Sequence, residues 1–370
     1  MKIGVVVHGP NIVDSGYAIK LIDLFKDYGE VSARLGGTMG RTAVIDANLE
    51  KIIDISKKLV PSDSLKIFHS NNVDLIFLLN YGKSDVTGQV FGYKVYHNYL
   101  NKIEDNNIPL IQIERPGEKD GSIIPWNCNL DIVNDLSEKL NLNVVLPNMV
   151  YEKHIKQDNV GFNQRVVHGV SPNENIMVNS VVIGKTNSDN LILISKDNHI
   201  VDICGGELKK HGLEKLGEVD LNSAIIKTGL LRYNHVKPRV ISQNNSDLFK
   251  VAFLDHAGED VYQFCDFNLV ITIGDDTTLI ASDILYRFDI PVIGITDGDL
   301  DNVVEYGFKV KNSIIFEVES GFDDVIGHSI KKKYFKNEHF SCNFKNINDV
   351  SESIIKIIKN INCKYKINYI

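Results

Sequence analysis

The chain is poor in the features that would name a compartment or a chemistry outright. Its five cysteines (Cys128, Cys204, Cys265, Cys342 and Cys363) are scattered, odd in number and never spaced Cys-x-x-Cys. That argues against a disulfide framework and a structural zinc site, and makes the reducing cytoplasm the expected location. No run approaches the ~18 apolar residues of a membrane span. The opening Met1-Lys2-Ile3-Gly4-Val5-Val6-Val7 is too short an apolar stretch for a signal peptide and reads as a first strand. Positive charge is not in surplus either. The formal net charge is −8, which argues against general nucleic-acid binding. The sequence has no Gly-x-Ser-x-Gly elbow, no His-Glu-x-x-His pair, no internal repeat and no long low-complexity linker.

What is present is an ordinary globular composition, 43% hydrophobic and 24% charged over 370 residues, enough for two or three domains. Residues 1–148 alternate strand and helix patterns. Strands are expected at Ile3–His8, Glu30–Leu35, Val73–Leu79 and Pro109–Ile113. Helices are expected at Gly16–Tyr28, Thr42–Leu59, Gly92–Ile103 and Leu130–Leu140. Such alternation makes a parallel sheet the default. Residues 149–236 break into short runs separated by Asn, Asp and Gly, as in Lys196-Asp197-Asn198-His199, which reads as a small antiparallel β subdomain with one helix near Leu221–Thr228. Alternation resumes over 237–335, and 336–370 reads as a C-terminal helix and tail. The expected class is α/β, with two parallel-sheet units flanking the β subdomain in sequence.

The strongest local pattern is Leu269-Val270-Ile271-Thr272-Ile273-Gly274-Asp275-Asp276-Thr277-Thr278 followed by Ile290-Pro291-Val292-Ile293-Gly294-Ile295-Thr296-Asp297-Gly298-Asp299-Leu300-Asp301. Two short apolar runs flank one amphipathic segment, and both end in carboxylates. In a β-α-β unit those ends lie side by side, where open sheets bind ligands. Asp276, Asp297 and Asp299 are the expected Mg²⁺ ligands and catalytic carboxylates, with Gly274 and Thr278 toward phosphate. The competing assignment makes these aspartates helix caps and turn residues.

Three more loops follow strands and carry anion-binding chemistry. Gly36-Gly37-Thr38-Met39-Gly40-Arg41-Thr42 combines close backbone approach with a guanidinium, although it is neither a Walker nor a Rossmann fingerprint. Asn80-Tyr81-Gly82-Lys83-Ser84-Asp85-Val86-Thr87-Gly88 offers Lys83 and Ser84 but lacks the earlier glycine of a phosphate loop. His8-Gly9-Pro10-Asn11 ends the first strand, and Glu114-Arg115-Pro116-Gly117 ends another. If these strands are neighbours, their loops share one rim. Solvated turns are the plain alternative for each. His168, His235 and His256 have no metal-ligand spacing with one another or with a cysteine.

Residues 266–295 resemble the Gly-Gly-Asp-Gly-Thr segment of NAD kinases and related diacylglycerol-kinase and phosphofructokinase-like enzymes. Gly274, Asp276 and Thr278 match; Asp275 and Thr277 stand where that family has glycines. The resemblance implies ATP phosphates at this loop. Residues 296–301 are similar to the Asp-x-Asp motif of Toprim domains, which implies metal-dependent phosphoester cleavage, though the glutamate that family places after an earlier strand has no counterpart. As a whole, through His8-Gly9-Pro10, Leu35 to Ala43 and Gly82-Lys83-Ser84, the chain resembles an uncharacterised family of methanogenic archaea, which supplies no chemistry. The expectation is an Mg²⁺-dependent protein binding a nucleotide such as ATP or a phosphorylated metabolite, with phosphotransferase chemistry. The alternatives are a non-catalytic ligand-binding or regulatory protein and a Toprim-like phosphoesterase.

Overall fold

A computed structural model describes the chain except for residues 38, 106, 129–130, 153–163, 180, 222–223, 225, 230–231, 233–235, 242–247, 256–257, 299–306, 337–339 and 342, and gives only the backbone of 258–260 and 341. Its contacts divide it into two compact units, the first covering chiefly 1–179 and 183–228, the second chiefly 237–370.

The first unit is built on a seven-stranded sheet. Its strands are β1 (Lys2–His8), β2 (Glu30–Gly36), β3 (Ile53–Asp54), β4 (Leu75–Asn80), β5 (Leu110–Glu114), β6 (Ser122–Pro125) and β7 (Asn143–Val144), in the order β3-β2-β1-β4-β5-β6-β7. All neighbours are parallel except β5 and β6. Its helices are α1 (Asn11–Asp14), α2 (Tyr17–Phe25), α3 (Gly40–Asp46), α4 (Pro61–Ser70), α5 (Asp85–Leu100), α6 (Asp131–Leu140) and α7 (Pro147–Val150). The central strand β4, Leu-Ile-Phe-Leu-Leu-Asn, is buried at every position. A continuous apolar run is what a strand covered on both faces requires. Alternate residues divide between two cores. Val5, Val7, Phe77 and Leu79 pack with Leu21, Ile22 and Phe25 of α2 and with Val133 and Leu136 of α6. Val6, Ile76 and Leu78 pack with Phe68 of α4 and with Val95 and Tyr99 of α5.

Several expected elements differ. The helix expected over 42–59 stops at Asp46, because the chain turns through Asn48 at φ 57° and Ile53–Asp54 joins the sheet as β3. A separate helix then starts at Pro61, whose ring suits the first helical turn. The β-rich segment has β8 (Gln164–Val167), β9 (Asn175–Val178), β10 (Val181–Thr186), β11 (Leu191–Lys196), β12 (His199–Cys204), β13 (Gly206–Leu208), helix α8 (Lys210–Leu216) and β14 (Ile226–Thr228). These strands form two small sheets, β13-β10-β9-β14 and β12-β11-β8. The helix expected at Leu221–Thr228 is absent among the described residues. Ile226–Thr228 instead pairs antiparallel with β9, so tertiary pairing overrides the local pattern.

The second unit has β15 (Val251–Asp255), β16 (Leu269–Ile273), β17 (Val292–Thr296), β18 (Ile314–Val318), β19 (Phe340–Ser341) and β20 (Tyr365–Tyr369) in the order β19-β15-β16-β17-β18-β20. The four middle strands are parallel and the two outer ones antiparallel to their neighbours. Helices α9 (Asp275–Leu285), α10 (Phe322–Ile330) and α11 (Ile347–Ile361) complete it. One face, with Phe253, Ile271, Ile293 and Phe316, packs on Ile326 and Ile330 of α10 and Ile354 and Ile358 of α11. The fold is therefore mixed α/β, with two parallel-rich sheets and small antiparallel ones. Among the described residues no helix is long and apolar enough to cross a membrane.

Candidate functional site

In the first unit, β2, β1, β4 and β5 run parallel as successive neighbours, so the loops after them share one edge. The chain fills the sheet outward from β1 in one direction through β3, then returns to lay β4 on its other side. The ends of β1 and β4 thus flank a topological switch point, where open α/β sheets hold ligands.

A buried polar array stands there. Gln112 and Glu114 alternate with apolar residues on β5 and are fully buried. Their room comes from α5, where Gly88 and Gly92 are spaced one turn apart. A Cβ on Gly88 would lie 1.9 Å from the Glu114 carboxyl carbon, and one on Gly92 1.6 Å from the Gln112 amide oxygen. Glu114 accepts hydrogen bonds from Gly82 N–H at 2.7 Å and from the amides of Asn80 and Gln112, each at 2.8 Å. Burial still raises its pKa, with the three donors and the Arg115 charge acting the other way. Asn80 also contacts His8 Nδ1 at 2.7 Å through its amide oxygen. The His8 ring stacks on Phe91 with centroids 3.9 Å apart. Burial lowers the His8 pKa to about 4, opposed by the Asn80 bond and aided by the Lys227 charge. At the end of β5, Arg115 holds a left-handed backbone at φ 48° and donates to the Gly82 carbonyl at 2.6 Å.

The expected phosphate loops take on more specific roles. A Cβ on Gly36 would strike Val6 and Pro61, and one on Gly40 would strike Leu35 and the Gly9 carbonyl, so both are packing glycines. Gly37, at φ 104°, faces His8. Arg41 is buried in α3. Thr38 lies outside the described residues. Lys83 forms an ion pair with Glu174 at 2.5 Å and a hydrogen bond to Ser171 at 3.2 Å. Ser84 caps α5, its hydroxyl accepting from Thr87 N–H at 3.2 Å. Lys227, Glu174 and Gln112 escape a reading of the sequence. The first two lie in the β-rich segment, distant along the chain, whereas Gln112 had a usable signal: with Glu114 it makes a polar pair two residues apart in an otherwise apolar strand.

In the second unit, β16 and β17 are adjacent and parallel, Ile273 opposite Ile295, so the two acidic loops meet. Asp297 meets Asp275, whose carboxyl also feels the charge of Asp276. Burial pushes the Asp275 carboxyl up to about 7, reinforced by a hydrogen bond with Asp297 and by the charges of Asp297, Asp276 and Asp323. Two carboxyls in such contact share a proton unless a cation replaces it. Asp297 Oδ2 also accepts from Gly321 N–H at 2.9 Å, ahead of α10. Gly274, at φ 89°, makes the turn into α9. Thr278 is fully buried, its hydroxyl donating to the Gly274 carbonyl at 2.7 Å and lying 2.8 Å from the Thr272 hydroxyl. Asp299, Asp301, His235 and His256 lie outside the described residues. Among the described residues, no group of three or more His, Cys, Asp or Glu side chains converges as a metal cage.

The model of a family described as an uncharacterised protein conserved in archaea (DUF2117) matches residues 5–338. The chain belongs to this family. It is 48% identical over 353 residues to an uncharacterised protein of Methanocaldococcus jannaschii, covering 92% of this chain and 93% of that one. No solved structure matches. The DUF2117 match spans the switch-point edge and the carboxyl pair alike.

Proposed function

We propose that this protein binds a nucleotide or phosphorylated metabolite at the carboxyl edge of its first unit. The observation that carries this reading is the β1/β4 switch point, lined by the His8–Asn80–Glu114 array and overhung by glycine turns. Arg41, Lys83 and Lys227 are candidate cations for a phosphate on this unit. Each would exchange an existing interaction for the ligand, Lys83 its pair with Glu174. Gly37 gives the approach room that a phosphoryl or sugar group needs. Isothermal calorimetry with ATP, ADP and ribose 5-phosphate tests this. Binding heat that Arg41→Ala or Lys227→Ala weakens supports it; no heat at millimolar ligand removes it.

A second reading is favoured by the carboxyl pair of the second unit. Asp275 and Asp297, with Asp276 beside them and Asp299 two positions after Asp297 in the sequence, would take Mg²⁺ in place of the shared proton, as phosphotransferases and Toprim-like phosphoesterases require. In this reading stabilisation by ATP depends on Mg²⁺ and disappears in EDTA. In the first reading, a non-catalytic ligand-binding protein, stabilisation persists in EDTA.

A further inference from the structure

The array at the switch point fixes where a proton sits. Trp126 Nε1 can only donate, and it points at the Gln112 amide oxygen at 3.2 Å, so the Gln112 nitrogen faces Glu114. Gly82 N–H, likewise only a donor, fills the other Glu114 oxygen. With Glu114 ionised, the Asn80 nitrogen completes the carboxylate's set, and its oxygen is left for His8. An amide oxygen only accepts, so the hydrogen of the neutral imidazole is on Nδ1 and the lone pair is on Nε2.

That lone pair has a glycine, not a side chain, beside it. Nε2 has no hydrogen-bond partner among the described residues, and the residue is half-buried. A Cβ built on Gly37 would meet the His8 ring edge, 3.7 Å from Nε2. Gly37 has a positive φ, at 104°, so the position beside Nε2 is held by a residue without a side chain to cover it. The Phe91 stack holds the ring plane. With its pKa lowered to about 4 by burial, the ring has no second proton to offer a phosphate at neutral pH.

We propose that His8 Nε2 is an acceptor subsite for an uncharged donor group of the ligand, a sugar hydroxyl or a nucleobase N–H, and that phosphoryl groups are held elsewhere on the same edge. The proposal rests on reading that edge as a small-molecule site. Asn80 and Glu114 are positioning residues, acting through His8. The test uses the full-length protein with ¹⁵N-labelled histidine, His8→Phe serving to assign the His8 signals while keeping an aromatic ring on Phe91. The free protein is expected to show the Nδ1–H form, constant from pH 6 to 8. Millimolar adenosine or ribose 5-phosphate is expected to move the Nε2 resonance, and inorganic phosphate is not. His8→Phe is expected to weaken adenosine binding about tenfold, the worth of one hydrogen bond. The opposite tautomer, or an Nε2 resonance that inorganic phosphate moves, overturns the proposal. Binding of adenosine and ribose 5-phosphate with Nε2 unmoved overturns it but leaves the edge site standing. No binding of either probe overturns both.

Discussion

At the residue scale, the carboxyl pair makes the clearest statement about energy. Asp275 is nearly buried, and its pKa is raised to about 7 by burial and by Asp297. An unfolded aspartate titrates near 4. Between those values the folded chain holds a proton that the unfolded chain has released, so stability falls as pH rises through this window and the loss is complete above pH 7. Asp275→Asn removes the charge, and its amide can donate to Asp297. The expected result is a variant more stable than the parent at pH 8 by about 1 kcal/mol or more, since a tenfold change in proton affinity is worth about 1.4 kcal/mol. The difference should shrink toward pH 4. Urea denaturation across that range measures it, and a variant less stable than its parent at pH 8 would show that the pair is already balanced by positive charge. Added Mg²⁺ that stabilises the parent but not Asp275→Asn would favour the metal reading.

At the element scale, α5 brings structure and site together. Ser84 caps it, and Ser84→Ala should cost about 1 kcal/mol, whereas Ser84→Asn should cost far less because Asn is an equal cap. Equal losses from both would show that the hydroxyl does something other than capping. Inside the same helix, Gly→Ala ordinarily gains about 1 kcal/mol. At Gly88 the sign should reverse, because the new Cβ overlaps the Glu114 carboxyl, and overpacking of this kind costs about 1–3 kcal/mol. Trp126, the single tryptophan, touches Gln112 in the same array, so its fluorescence should shift in Gly88→Ala. An unchanged spectrum and higher stability would refute the packing role. The sequence made much of this readable. Continuous apolar runs marked β1, β4, β16 and β17, and the β-α-β spacing marked where acidic loops meet. It did not single out Asp275, whose carboxyl meets Asp297, because Asp275 and Asp276 open the same helix turn. The break between α3 and α4, the pairing of β14 with β9 and that of β20 with β18 depend on strand partners that no short local window contains. Nor did the sequence show the ion pair of Lys83 with Glu174, which is remote along the chain.

At the scale of the whole molecule, each unit encloses cores of its own. In the second unit the apolar cluster draws on residues from Val251 to Cys363. The strands of its sheet, from β15 to β20, also lie within 237–370. Short antiparallel strands, β19 and β20, take both edges of the parallel array, which leaves its central strands paired on each side. A segment of this size with a closed core meets the usual requirements for independent folding. Residues 237–370 expressed alone are therefore expected to give a mixed α/β circular dichroism spectrum and a single cooperative thermal transition. The carboxyl pair supplies an internal check, because Asp275, Asp276, Asp297 and Asp323 all belong to this fragment. The gain from Asp275→Asn at pH 8 should reappear in it with the same sign and similar size. A fragment that folds but loses that gain would mean that the burial of Asp275 depends on residues before 237. A fragment without a cooperative transition would mean that its core needs them too.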